Sequence, residues 1–267
     1  MVSTTDFESN GLVESRAWPV QGAVIEFEGG SQPLADQVSL VVPARNEARN
    51  LAAVLETIPD CVDELILVDG NSTDATVAMA RHYRPDVRVV SQDAPGKGSA
   101  LRAGFHAATG DIIVMMDADG SMSATEIPHY LWLLDNGFDF VKGSRFASGG
   151  GSTDITRLRR LGNRGLLAVV NALYGAQLTD LCYGFCAFRR YWLDSLDLTA
   201  TGFEIETEMI IHALRAGLRI AEVPSFEQPR RSGSSSLRTF HDGWRVLETV
   251  VRDRRTGGPG LAAATAP

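Results

Sequence analysis

The chain is expected to fold as a single α/β domain, one mostly parallel sheet with helices on both faces. Three observations lead there. Short continuous apolar runs at residues 38–43, 64–69 and 112–116 read as strands buried on both faces. The first two are followed by turn residues and then by apolar residues at helical spacing. All three end in polar or acidic residues, as in open sheets whose ligands bind beyond the carboxyl ends of the strands.

A chain of 267 residues can bury a large core, and no Pro/Ser/Gly linker divides its middle. The net charge of -8 argues against general nucleic-acid binding, which depends on Lys and Arg neutralising phosphates. Arginines nevertheless cluster at Arg157, Arg159, Arg160 and Arg164, and again at Arg230, Arg231 and Arg238. Either patch can receive an anion or simply be a solvated face. Cys61, Cys182 and Cys186 form an odd, sparse set, expected as free thiols in a reducing compartment rather than a zinc site. The acidic start, with Asp6 and Glu8, is unlike a signal peptide. No apolar run approaches the ~18 residues of a membrane span. A cytoplasmic protein is expected, soluble or peripheral on the cytoplasmic membrane face.

Residues 1–37 read as an N-terminal extension, with a short alternating strand at 23–28. Strand 38–43 stops at Pro43. Ala44, Arg45, Asn46 and Glu47 form the turn, and Leu51, Val54, Leu55 and Ile58 mark the helix. Asn46 is the expected helix cap, and the free amides of that first turn favour an anion. Strand 64–69 ends in Asp69, and residues 70–74 (GNSTD) supply turn and cap before a helix at 75–82.

A short strand at 87–90 leads to Gly96-Lys97-Gly98. This is not a phosphate-binding P-loop, because Ser91 stands where the first Gly belongs and Gly98 where Ser or Thr should follow Lys. Lys97 can still reach a phosphate, or be a solvated loop lysine. No Gly-x-Gly-x-x-Gly follows a strand, so a dinucleotide fingerprint is absent. After a helix carrying Leu101, Gly104, Phe105 and Ala108, strand 112–116 runs into Asp117-Ala118-Asp119. Carboxylates at i and i+2 on a strand share a face and repel unless a cation lies between them. Mg²⁺ meets that need, commonly with substrate phosphates as further ligands. Capping acids on a solvated turn are the alternative.

Right-handed crossovers gather the three strand ends on one lip. A carboxylate able to read a nucleobase, Asp69, then lies beside a pair able to hold a metal-diphosphate, Asp117 and Asp119. The combination points to a nucleotide-sugar pocket.

Five segments in order, 38–47 (VSLVVPARNE), 67–74 (LVDGNSTD), 96–104 (GKGSALRAG), 117–119 (DAD) and 143–145 (GSR), resemble family 2 glycosyltransferases of the GT-A fold. Among them the chain looks most like dolichyl- and polyprenyl-phosphate mannose or glucose synthases, over residues 38–252. The resemblance implies donor contacts from Pro43, Ala44, Arg45, Glu47, Asp69, Asn71, Lys97, Asp117, Ala118 and Asp119. It also implies Mg²⁺ or Mn²⁺ on Asp117 and Asp119.

In the second half, residues 140–145 form a further strand and turn, and Gly149 to Gly151 a flexible loop. Residues 157–174 read as a helix with a basic start. By resemblance Arg145, Arg159 and Asn163 would hold an acceptor phosphate, a task suited to guanidinium forks. Residues 179–190 (TDLCYGFCAFRR) resemble the family segment over the sugar, making Asp180 the candidate base or sugar-hydroxyl contact. A phosphate acceptor, already anionic, needs no base, whereas an alcohol acceptor would. In 202–208 (GFEIETE), acids at a helix start act near the sugar or as a brace. Residues 230–237 (RRSGSSSL) resemble a loop that folds over the diphosphate, through Arg231 and Ser234 to Ser236.

Phe240, Trp244, Leu247, Val250 and Val251 share a helical face that packs on the core or touches a membrane surface. Residues 253–267 read as a disordered tail. The chain departs from the family pattern at Ser121, where mannose synthases often carry Gln, at Gly70, where a second acid is frequent, and at Cys186, where Arg is common.

The reading is a metal-dependent, inverting transferase moving a hexose, mannose favoured, from GDP-mannose to polyprenyl phosphate. The alternative is a UDP-hexose donor and a soluble hydroxyl acceptor, in secondary metabolism or cell-surface glycan synthesis. A nucleotidyltransferase would need a Gly-rich triphosphate loop after the first strand, where 43–47 (PARNE) stands. A silent nucleotide-sugar-binding subunit would need a broken metal pair.

Overall fold

The computed structural model describes residues 17–20, 23–26, 36–233 and 239–256, with side chains for 36–233 and 243–253. A hairpin of β1 (Ala17–Val20) and β2 (Ala23–Glu26) precedes β3 (Val38–Ala44) and α1 (Ala48–Leu55). Then come β4 (Glu64–Asp69), α2 (Thr76–Tyr83), β5 (Arg88–Ser91), α3 (Lys97–Ala107) and β6 (Ile112–Met115). The second half runs α4 (Ile127–Asp135), β7 (Phe140–Ser144), β8 (Gly151–Ser152), α5 (Arg157–Tyr174) and β9 (Cys186–Arg189). It continues with α6 (Leu193–Leu196), α7 (Ile205–Arg215), β10 (Ile220–Pro224), β11 (Phe226–Glu227) and α8 (Thr239–Thr256).

Seven strands form the main sheet in the order β10-β7-β9-β6-β3-β4-β5. Successive residues point to opposite faces, and both faces are buried, which is why the strands read as unbroken apolar runs. Leu40, Leu65 and Val114 face α1 and α4 with Tyr130 and Phe185. Their neighbours Val41, Ile66 and Met115 face α3 and α7 with Phe105, Phe188 and Ile210. β9 alone runs antiparallel, between β6 and β7. Its start therefore lies at the carboxyl lip of the parallel strands, and the segment that carries Asp180 is delivered to the same edge as Asp69, Asp117 and Arg145.

Three local expectations are corrected. Asn46 does not cap α1: it adopts a left-handed conformation, φ 58°, and its side-chain oxygen accepts from the Thr73 amide at 2.8 Å. The first amides of the turn are satisfied across the lip, Glu47 N–H by Thr76 Oγ1 at 2.9 Å and Ala48 N–H by Asp74 at 3.2 Å. The apolar face expected on the last helix is split, with Val250 buried and Trp244 exposed, because Val246, Thr249 and Val250 are the residues turned to the core. Helix α8 also runs through Thr256, with Asp253 buried, so it passes the boundary expected at residue 252.

Candidate active site

Two adjoining cavities open at the lip. The first, about 290 Å³, is lined by Pro43, Ala44, Arg45, Glu47, Gly70, Gln92 and Ala118 among others. The second, about 170 Å³, lies between the lip, α5 and α8, lined by Arg145, Arg159, Asn163, Cys182, Glu227 and Val246 among others. Lys97, Asp117, Asp119, Phe203 and Arg230 line both and form the shared wall.

The charges on that wall are paired. Lys97 Nζ lies 2.6 Å from Asp117 Oδ1 and 2.7 Å from Glu206 Oε1. Burial works against its charge, but the two carboxylates outweigh burial and hold the ammonium above the ordinary lysine range. Asp117 is pushed up to about 6 by burial, with Lys97 pulling it down and Asp119 and Glu206 pushing it further up. Asp119 Oδ1 accepts from the Ser121 amide at 3.0 Å, and its Oδ2 lies 3.0 Å from Arg230 Nη2. Oxygen-only donors from Asp117 and Asp119, with Glu47 near enough to repel Asp119, fit a hard divalent ion such as Mg²⁺ or Mn²⁺.

The Gly-Lys-Gly sequence is explained by packing. Gly98 N–H donates to Thr201 O at 2.9 Å, and a Cβ on Gly98 would stand 2.4 Å from Ala200 O. A protein carbonyl thus takes the amide that a P-loop would offer to phosphate, while the Lys97 side chain turns to the shared wall.

In the second cavity Arg145 and Asp180 are bound to each other. Arg145 Nε and Nη2 meet the two Asp180 oxygens at 2.7 and 3.1 Å, Nη1 meets Glu227 at 3.2 Å, and Nη2 also reaches Cys182 O at 2.6 Å. Asp180 is fully buried. Burial pushes its carboxyl up, but the Arg145 hydrogen bonds and charge, with Lys142, hold it below the ordinary range. Lys142 itself is buried, its ammonium donating to Asp180 O at 2.7 Å and Gly143 O at 2.9 Å. Asn163 Oδ1 accepts from the Leu181 and Cys182 amides, while its buried Nδ2 has no partner. The Cys182 thiol, pushed up to about 12 by burial, stays protonated and is no nucleophile.

Of the residues expected at the donor, Pro43, Ala44, Arg45, Glu47, Lys97, Asp117, Ala118 and Asp119 line the first cavity. Asp69 and Asn71 flank Gly70, the residue of that loop on the wall, and Asp69 accepts from the Ser72 amide at 3.2 Å. Arg231 lies with its stem near Gly120, while Arg230, one residue earlier, is the arginine in both cavities. Ser234 lies outside the described residues. Gln92 was missed, and a lone polar residue at a strand end gives no signal in sequence. Among the acids of 204–208 the division is clear. Glu204 accepts from Gly202 N–H and Arg245, and Glu208 from Thr199 and Ala200, as braces. Glu206 alone lines the second cavity.

A separate group, Glu208, His212 and Asp253, places its side-chain atoms within 4.8 Å of one another between α7 and α8. Its atoms are engaged by Thr199, Ala200 and Arg252 and by a His212–Asp253 contact of 3.2 Å, so it ties the helices together.

The fold and site define a GT-A glycosyltransferase, and the chain belongs to glycosyl transferase family 2, whose profile matches residues 39–197. It is 34% identical over 233 residues to glycosyltransferase AglJ of Haloferax volcanii, covering 85% of this chain and 75% of that one. A dolichyl-phosphate hexose transferase of the same organism is 31% identical over 221 residues, covering 81% and 93%. Among solved structures, glucosyl-3-phosphoglycerate synthase of Mycobacterium tuberculosis, in complex with Mn²⁺, UDP and glucosyl-3-phosphoglycerate, superposes with a TM-score of 0.68 at 29% identity, covering 84% and 82%. No helix among the described residues is long and apolar enough to cross a membrane.

Proposed function

We propose that this glycosyltransferase moves a hexose, mannose favoured, from a nucleoside-diphosphate sugar to a polyprenyl phosphate, with inversion, at the cytoplasmic membrane face. The nucleotide lies along Pro43, Ala44, Arg45, Glu47 and Asp69, and Asp119 with Asp117 would hold Mg²⁺ or Mn²⁺. When bound, the ion supplies charge neutralisation to the departing nucleoside diphosphate. Arg230 and Lys97 add positive charge on the shared wall, and Glu206 can accept from a sugar hydroxyl. Arg159 and Asn163 Nδ2 receive the acceptor phosphate, which attacks the anomeric carbon from the side of the second cavity.

The observation that carries this reading is the state of the acids lining the second cavity and of Asp180 buried behind it. Asp180 and Glu227 are paired with Arg145, Asp117 and Glu206 with Lys97. Asp119 is paired with Arg230, and Asp154, the remaining acid lining this cavity among the described residues, is exposed on the segment ahead of α5. The other acids are thus each engaged by a cation rather than free to take a proton from an alcohol, and an acceptor already ionised at neutral pH requires none. Orientation and charge neutralisation then account for the rate.

A second reading is a UDP-hexose donor with a soluble acceptor. It is favoured by the solved relative that carries UDP and a phosphoglycerate product, since the same cationic donors would grip a soluble phosphate. The test incubates purified protein and Mn²⁺ with radiolabelled GDP-mannose or UDP-glucose, offering polyprenyl phosphate or 3-phosphoglycerate. Label in the organic phase, only with polyprenyl phosphate, is expected. Label retained in water on 3-phosphoglycerate, with none extracted, would establish the second reading instead.

A further inference from the structure

We infer that the exposed face of α5, together with Trp244 of α8, is a docking surface for an anionic lipid bilayer beside the second cavity. Arg159, Asn163 and Leu166 of α5 turn into that cavity. Arg157, Leu158, Arg160, Leu161 and Arg164 lie on the remaining arc of the same helix and are all exposed. Leu158 is 51% exposed, Leu161 69%, and Trp244 69%. These residues adjoin Gly162 and Gly243, which line the cavity from its two helical walls. A hydroxyl bond from Tyr174 to Val250 O at 3.2 Å holds the other ends of α5 and α8 together.

Leu158 and Leu161 share one exposed arc of α5 with three arginines, and α8 adds an exposed indole. Apolar tips flanked by arginines suit an interface, where the tips enter the acyl boundary and the guanidinium groups remain among headgroup phosphates. The charge of this surface is opposite in sign to that of the whole chain. The whole chain carries -8, and a bilayer of the same sign would repel it except where arginines predominate. Against them stand only Asp154 ahead of α5 and Glu248 on α8 among the described, exposed residues of these two walls. Docked this way, the outer arc of α5 rests on the headgroup layer and the opposite arc of the same helix borders the cavity. The inference goes beyond the proposed acceptor, because the surface binds lipid with neither donor nor acceptor present.

The full chain is to be floated with vesicles of phosphatidylcholine alone and of phosphatidylcholine mixed with phosphatidylglycerol, at low and high salt. Flotation is expected only with the anionic vesicles and less at high salt. Arg157→Gln with Arg164→Gln is expected to weaken partition roughly tenfold or more, as is Leu161→Ser with Trp244→Ser, with unchanged thermal unfolding in both. Failure of the wild type to float, or equal flotation of the double variants, would overturn the inference. So would light scattering that finds a wild-type dimer dissociated by Leu161→Ser with Trp244→Ser, which would assign the surface to a second copy. Transfer to a water-soluble short-chain polyprenyl phosphate reads the acceptor separately. Retained transfer without flotation sinks only the docking surface, and flotation without transfer sinks only the acceptor.

Discussion

Arg230 Nη2 stands 3.0 Å from Asp119 Oδ2, so the carboxylate proposed to hold a divalent ion is paired with the protein's own guanidinium. On the proposed function, an ion at Asp119 would compete with the arginine for one oxygen until a diphosphate offered the arginine another partner. Arg230→Gln is expected to raise Mn²⁺ affinity without nucleotide by roughly two- to fivefold, the range a part-exposed pair worth at most about 1 kcal/mol allows. The same change should weaken nucleoside-diphosphate binding in the presence of Mn²⁺. Isothermal titration measures both, and an unaltered Mn²⁺ affinity would contradict the competition.

Arg145 and Asp180 hold the start of β9 against the end of β7. Removing one partner leaves a buried, uncompensated charge, so Arg145→Ala or Asp180→Ala is expected to cost about 3 to 5 kcal/mol in urea unfolding. Arg145→Lys should rescue little, because one ammonium cannot span Asp180, Glu227 and Cys182 O together. A lysine variant of wild-type stability would refute the bidentate account.

Acid should expose the same pair. The folded Asp180 carboxyl lies below its unfolded value. Its contribution is therefore complete above the unfolded value of about 4 and is lost as pH falls through the folded one. The stability gap between wild type and Asp180→Asn is expected to be constant near neutrality and to shrink on acidification below about pH 4. A gap that widened in acid would reverse the assigned direction.

Gly98 tests the packing explanation of the Gly-Lys-Gly segment. A methyl group there would stand 2.4 Å from Ala200 O, so Gly98→Ala must displace backbone. A cost of about 1 to 3 kcal/mol is expected, read from the urea midpoint. Full stability would mean that the close approach is not what fixes this glycine.

The parallel strands and their acidic ends were legible because both signals are local: a doubly buried strand is apolar at every position, and the Asp117-Ala118-Asp119 pair follows one directly. What escaped was set by distant parts of the chain. Asp180 reads in sequence as a base or a sugar-hydroxyl contact, but the Arg145 that binds it lies across an antiparallel strand whose direction no local pattern announces. Asn46 had the composition of a cap, yet its partner, Thr73, comes from the next βα turn. Arg230 and Arg231 are adjacent and chemically identical, so only the path of the loop tells which faces Asp119. The acids at 204, 206 and 208 were seen as a group, and helix rotation alone assigns Glu206 to the cavity and the other two to bracing.

The most direct test of a metal-dependent nucleotide-sugar site at this lip is a thermal-shift panel of GDP-, UDP-, dTDP- and ADP-sugars, with and without Mn²⁺, on the wild type and Asp119→Ala. A donor at about 100 times its dissociation constant stabilises the fold by about 2.7 kcal/mol, a readily measured shift. A shift is expected with one nucleotide class, and it requires both Mn²⁺ and Asp119. A shift that survives without the ion and in Asp119→Ala, or none with any nucleotide-sugar, would contradict it.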